Sequence, residues 1–314
     1  MLRIFASMPL RGPAGAAGRD IVRGAELALD RAATPGVELV ILDAWGEDRD
    51  ARAVANARRA AADADAVAYL GDFHSSQVES TAPVLAAARL LQVAPGATYA
   101  GLGGPTLVRL MPDDRALARG IAGWVAGAGL RGVLVVHDHD EGYGVPVGGM
   151  CLRALREADL DAHGRPVWDH DEPIADDLAG ADAVLYAGVA GPGAAALWGN
   201  LHRHDPARWL LATDGLAVDR FARELDAGAA ERTRLFTSQR APWGFYGYEA
   251  AALILDAIAE AGGERAGVVA AARGARDRES ILGRYSIDPD GLTTAPADGV
   301  LAVVAGEIVR ERAP

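Results

Sequence analysis

Three short stretches hold most of the residues able to do chemistry. The first, LGDFHSSQ (70–77), sets His74, Ser75 and Ser76 side by side directly after an apolar run. A histidine beside two serines suits a hydrolase centre, or a loop whose hydroxyls and amides hold a ligand. Nucleophilic catalysis needs a base that reaches the serine hydroxyl and a third group that orients the base. Adjacent residues rarely achieve that geometry, and no G-x-S-x-G elbow lies near. The simpler expectation is that Ser75 or Ser76 caps the free amides of a following helix. A ligand carboxylate accepting those same amides is compatible with that role.

The second stretch is HDHDEGYG (137–144), with WDHDEP (168–173) further on. His137, Asp138, His139 and Asp140 are metal-ligand types, and Asp169 or His170 would be their partners in a transition-metal site. Neighbouring residues on a strand point to opposite sides, however, so these four cannot converge on one ion unaided. Exposed acidic loops are the simpler reading. The third, GAGLRG (127–132), matches the dinucleotide fingerprint letter for letter. That motif needs a strand before it and a helix after it. Here the order is reversed, so a helix stop and a loop are expected. GPAGAAG (12–18) does run from strand to helix; its spacing departs from the fingerprint, but its helix N-terminus could face an anion. The lone Cys151 reads as a small core residue rather than a nucleophile. No catalytic residue, metal or cofactor is expected.

The elements that must position these residues alternate along the chain. Strands are predicted at 2–7, 37–42, 66–70 and 90–94, each followed or separated by a helical pattern. A second series begins near Asp113, with strands at 132–138, 181–188, 208–213 and 234–238 and a short helix at 217–227. The segment FYGYEAAALILDAIAEAGG is the most hydrophobic helix and ends in a glycine pair, a normal stop signal. The tail reads as two strands around Ala305-Gly306. Repeated βα units predict an α/β fold with doubly wound parallel sheets. In such sheets ligands sit outside the carboxyl ends of the strands, which selects the loops after residues 7, 43, 70, 94, 138, 188 and 213.

With 314 residues, half of them hydrophobic, the chain can bury a large core, and more than one lobe is expected. Lys and Arg number 31 against 43 Asp and Glu, a net charge of -12. That sign repels phosphate backbones, so nucleic acid is not an expected partner. No apolar run has the length of a membrane-spanning helix. One cysteine allows no intrachain disulfide, which fits a reducing compartment without excluding export. MLRIFASMPL lacks the features of a signal peptide, so the chain is expected either to stay in the cytosol or to follow a removed leader.

The order of these loops is similar to the type I periplasmic solute-binding proteins, and more narrowly to the leucine/isoleucine/valine-binding branch that feeds ABC importers. The resemblance rests on SMPLRGPAG, LGDFHSSQ, PGATYAGL, HDHDEGYG, LLATDGL and FYGYEAAALILDAI in sequence, over nearly the whole chain. It implies two lobes joined by three crossing strands, closing on an amino acid without catalysis. The implied division is 1–115 plus 240–292 for the N-terminal lobe and 116–239 plus 293–314 for the C-terminal lobe. It also implies that Ser75 or Ser76 holds the ligand carboxylate, with Gly96, Ala97 and Thr98 meeting the ammonium or carboxylate. Tyr143 would wall the cleft, and Asp214 would be the counter-charge for the ammonium. Ala17 stands where an aromatic is often found, and Val189 and Ala190 stand where a tyrosine is expected. His74 also departs from the pattern and becomes a specificity residue. These changes enlarge the pocket, and Trp243, Tyr246 and Tyr248 could supply an aromatic wall. The expected function is a monomeric solute-binding protein, extracellular or at the cell surface, that delivers a small carboxylate ligand such as an amino acid to an ABC permease. Alternatives are a binder of aromatic carboxylates, or a ligand-sensing domain of a regulatory protein in the cytoplasm.

Overall fold

The computed structural model describes residues 1–32, 34–139, 142–166, 175–191 and 193–311. The chain divides into two units: Met1–Asp113 with Ala241–Ala295, and Asp114–Arg240 with Pro296–Pro314. It therefore passes three times from one unit to the other.

The first unit opens with five strands: β1 (Leu2–Met8), β2 (Val37–Asp43), β3 (Ala66–Leu70), β4 (Leu91–Ala94) and β5 (Leu107–Arg109). They form one sheet in the order β2-β1-β3-β4-β5, all parallel. Strands covered on both faces read as continuous apolar runs, and every residue of β3, AVAYL, is buried. Between them lie α1 (Gly15–Ala32), α2 (Arg49–Ala62) and α3 (Ser75–Ala87).

The second unit contains α4 (Asp114–Gly127), β6 (Gly132–His137), α5 (Gly144–Glu157), β7 (Asp161–Pro166), β8 (Ala183–Ala187), α6 (Ala194–His204) and β9 (Trp209–Thr213). It continues with α7 (Asp219–Glu224), α8 (Ala227–Arg232) and β10 (Thr233–Thr237). β11 (Gly299–Val304) and β12 (Glu307–Arg310) follow after the third passage. The sheet order is β12-β11-β10-β9-β8-β6-β7. Unlike the parallel sheet expected, its edge is mixed, because β11 and β12 add antiparallel. Their turn at Ala305 and Gly306 has φ of 51° and 79°, the paired positive values of a tight hairpin. One face carries α4 and α5, the other α6, α7 and α8.

The return passage gives the first unit α9 (Trp243–Ala261) and α10 (Arg265–Arg273). These share one sheet face with α1, while α2 and α3 cover the other. α1 and α9 touch backbone to backbone: a Cβ on Gly247 would lie 1.9 Å from the Ile21 carbonyl oxygen. Cys151 is fully buried in α5, and burial pushes its thiol up to about 12, which makes it inert.

Candidate functional site

In the first unit the loops after β3 and β4 come together. α3 starts at Ser75, with His74 as its N-cap. The Gln77 side chain accepts from the His74 amide at 3.4 Å. The expectation that a serine hydroxyl caps the helix is thereby corrected. Both serines sit inside the first turn, where their hydroxyls find other partners. Ser75 Oγ accepts from the Tyr99 amide at 3.2 Å, which ties it to the Gly96–Ala97–Thr98 loop. Ser76 Oγ donates to Asp50 Oδ1 at 2.9 Å, which turns it toward the start of α2 instead. Gly96 rests on Phe73, since a Cβ there would lie 3.2 Å from the Phe73 carbonyl oxygen. Ala97 is buried and Thr98 half-buried. From beneath, the buried Arg109 donates from Nη1 to the Tyr99 carbonyl at 2.9 Å. Ser75 and the three loop residues thus share one place with the first-turn amides of α3, which lack partners within the helix. Helix dipole and amides both favour an anion there.

Under this loop pair lies a carboxylate that the sequence reading did not single out. Asp72 is fully buried and accepts from Ser7 Oγ at 2.8 Å, Tyr69 Oη at 3.1 Å and Thr81 Oγ1 at 3.0 Å. Burial raises its pKa to about 6 against the opposing pull of these hydroxyls. Asp43 fastens the first loop, accepting from the amides of Leu10 and Trp45, both at 3.0 Å. Burial opposes ionisation of Asp43, but those amides and Arg11 outweigh it and hold the group below the usual carboxylate range.

His74 is half-buried, its ring edge-on to Phe73 at 5.0 Å. Burial first, and the Arg49 charge second, lower its pKa, so the ring is neutral at pH 7. Among the described residues neither serine hydroxyl is hydrogen-bonded to it. Phe73 continues to Trp243 at 4.9 Å, whereas Tyr246 is core, only 1 % exposed. Phe73 and Trp243 therefore form the aromatic row with His74. Phe73 sits in the same strand-end loop as His74, which is the signal that could have found it.

In the second unit Tyr143 and Asp214 meet. Asp214 opens a 3-10 turn at the carboxyl end of β9. Tyr143 Oη donates to Asp214 Oδ1 at 2.6 Å and lies 3.0 Å from the Thr213 hydroxyl. The phenol oxygen also accepts from the Gly215 amide at 3.3 Å. Only glycine fits at 215, because a Cβ would lie 2.1 Å from the Gly188 carbonyl oxygen and 3.0 Å from the Tyr143 ring. Burial raises the Asp214 pKa, with the Tyr143 hydrogen bond acting the other way. Burial, with the adjacent Asp214 charge, also holds the Tyr143 proton on. Asp138 braces the same loops by accepting from the Val189 amide at 3.0 Å.

The remaining motifs resolve simply. α4 ends and β6 begins within GAGLRG, so that stretch is a helix stop and loop. His137 Nδ1 pairs with the Asp138 carbonyl at 2.8 Å. Asp140, Asp169 and His170 lie outside the described residues. Among the described residues no group of three or more His, Cys, Asp or Glu could hold a metal ion. No helix among them is long and apolar enough to cross a membrane.

The sequence profile of the family described as "Periplasmic binding protein" matches residues 2–205. No curated protein matches. Among solved structures, a leucine-binding protein from Thermotoga maritima aligns with a TM-score of 0.76 at 21% identity, over 99% of this chain and 98% of that one. A substrate-binding protein of an ABC transporter from Desulfitobacterium hafniense, in complex with Leu, aligns at 0.78 and 19% identity over 99% of both chains. A solute-binding protein from R. palustris in complex with 4-hydroxybenzoate aligns at 0.73 and 18% identity, over 99% of this chain and 96% of that one. At these identities the likeness establishes the shared fold.

Proposed function

The chain belongs to the periplasmic binding protein family, and we propose that it is a non-catalytic solute-binding protein that captures an α-amino acid for an ABC importer. The observation that carries this reading is the complementarity of the two half-sites. The first unit offers neutral donors, the Ser75 hydroxyl and the first-turn amides of α3, beside Gly96, Ala97 and Thr98. The second offers Asp214, oriented by Tyr143. An α-amino acid needs anion donors at one end and a carboxylate at the other. The first unit takes the carboxylate and the second the ammonium. Ser76, committed to Asp50, drops out of the grip. The aromatic row of Phe73, His74 and Trp243 supports a second reading, a ligand with an aromatic ring. The relative bound to 4-hydroxybenzoate belongs to the same comparison. The protein acts as a monomer, outside the cell or at its surface, and hands its ligand to an ABC permease.

A thermal-shift screen of amino acids and aromatic acids tests this. At a hundredfold excess over Kd, a true ligand adds about 2.7 kcal/mol. For a chain this size that is a rise in Tm of roughly 4 °C. The same panel supplied with its ester and amide derivatives should show no turnover. No shift with any amino acid or aromatic acid would refute the reading.

A further inference from the structure

A second concave site lies wholly within the second unit, away from Tyr143 and Asp214. α4 is the last helix on its face of the sheet, so the face beyond it, over β10 and β11, is left open among the described residues. The result is a cavity of about 660 Å³. Its walls are aromatic. Trp124 meets Trp209 and Phe236 edge to face, each at 5.5 Å. Val300, half-buried on β11, forms part of the lining.

Three guanidiniums converge on this space: Arg234, Arg240 and Arg310. Arg234 lies 5.0 Å from the Trp209 ring centroid and pairs through Nε with Glu311 at 3.0 Å. Arg240 pairs with Asp298 at 3.0 Å. Arg310 is exposed at the mouth and donates to the Gln239 carbonyl. Three cations against two carboxylates leave one positive charge in excess, in a chain whose net charge is -12. Ligand sites of this size join apolar aromatic walls to a few convergent polar groups. Edge-to-face aromatics accept another flat ring, and guanidinium both stacks on rings and binds carboxylate. A single excess charge matches a monoanion.

We propose that this cavity binds a planar aromatic molecule carrying one carboxylate, as a site independent of the amino-acid half-sites. Its residues also adjoin the points where the chain leaves the unit after Arg240 and re-enters at Pro296.

Calorimetric titration of the full chain with 2-naphthoate is the test, read beside the amino-acid thermal shift in the same variants. Wild type should bind 2-naphthoate. Arg310→Gln should weaken it about tenfold, the loss of a charge-assisted hydrogen bond. Val300→Trp, which fills the cavity, should abolish it. Ser75→Ala should leave it unchanged. Retention of the amino-acid shift in Arg310→Gln and Val300→Trp shows that those chains are folded. If Val300→Trp does not fold, Arg310→Glu replaces it with the same expectation. No binding to wild type, or unchanged binding in the cavity variants, or loss in Ser75→Ala, would overturn the proposal. Because the amino-acid response is recorded separately, its failure is distinguishable from failure of this site.

Discussion

In the first unit a carboxylate is fully buried; in the second a carboxylate at a strand end is half-buried. Asp72 accepts from three hydroxyls, those of Ser7, Tyr69 and Thr81, and braces the loop after β3. Asp214 takes one side-chain donor, Tyr143, and the amides of its own turn. Burial raises both groups. The lesson is that sharing a residue type, a strand-end position and a pKa direction does not give two acids the same role. What separates them is exposure: Asp72 is enclosed on every side, whereas Asp214 is half-buried. An enclosed acid can only hold structure, and one that reaches the surface can meet a ligand cation.

The sharpest break in that comparison is Asp214→Ala. Removing a charged partner from a buried ligand pair costs about 2–5 kcal/mol, so amino-acid affinity should fall by two to three orders of magnitude in calorimetry. Next is the pH response of Asp72. Its folded pKa of about 6 lies above the ordinary 3.8. The native state therefore holds this proton more tightly than the unfolded chain. The associated stability is present at about pH 4 and lost as pH rises through about 6, a change of roughly 3 kcal/mol. Urea melts across that window should show the slope in wild type, with Asp50 and His74 as the other titratable neighbours, and a flatter profile in Asp72→Asn.

A smaller effect is expected for Ser75→Ala, which deletes one charge-assisted hydrogen bond and the tie to Tyr99. Affinity should drop about tenfold, with little change in Tm. Ser76→Ala is the smallest. Its hydroxyl serves a partly exposed contact to Asp50, so affinity should stay within about twofold. Equal losses in the two serine variants would erase the distinction drawn between them.

Much of this was legible in the sequence, for physical reasons. Strands buried on both faces are apolar nearly throughout, so AVAYL and WLLAT announce themselves. β7, DAHGRP, is an edge strand with exposed side chains and carries no such run. β5 has three residues, and α8 six, too short for a period to show. At the candidate site, the strand-end rule pointed to the loops that carry Ser75, Thr98, Tyr143 and Asp214. It could not separate Ser75 from Ser76, since that depends on a helix start shifted by one residue. Nor could it see Asp72 as buried, because Ser7, Tyr69 and Thr81 reach it from three different elements. The cavity over β10 and β11 draws on residues from Gly120 to Glu311, a juxtaposition only the fold creates.

The central claim is that the ammonium belongs to Asp214 and the carboxylate to the α3 loop. Titrating wild type and Asp214→Asn with leucine and with its des-amino analogue, 4-methylpentanoate, tests it most directly. The account predicts that wild type prefers leucine strongly, and that Asp214→Asn loses this preference while its affinity for the analogue is unchanged. Equal binding of the two ligands by wild type, or a preference for leucine that survives in Asp214→Asn, would contradict it.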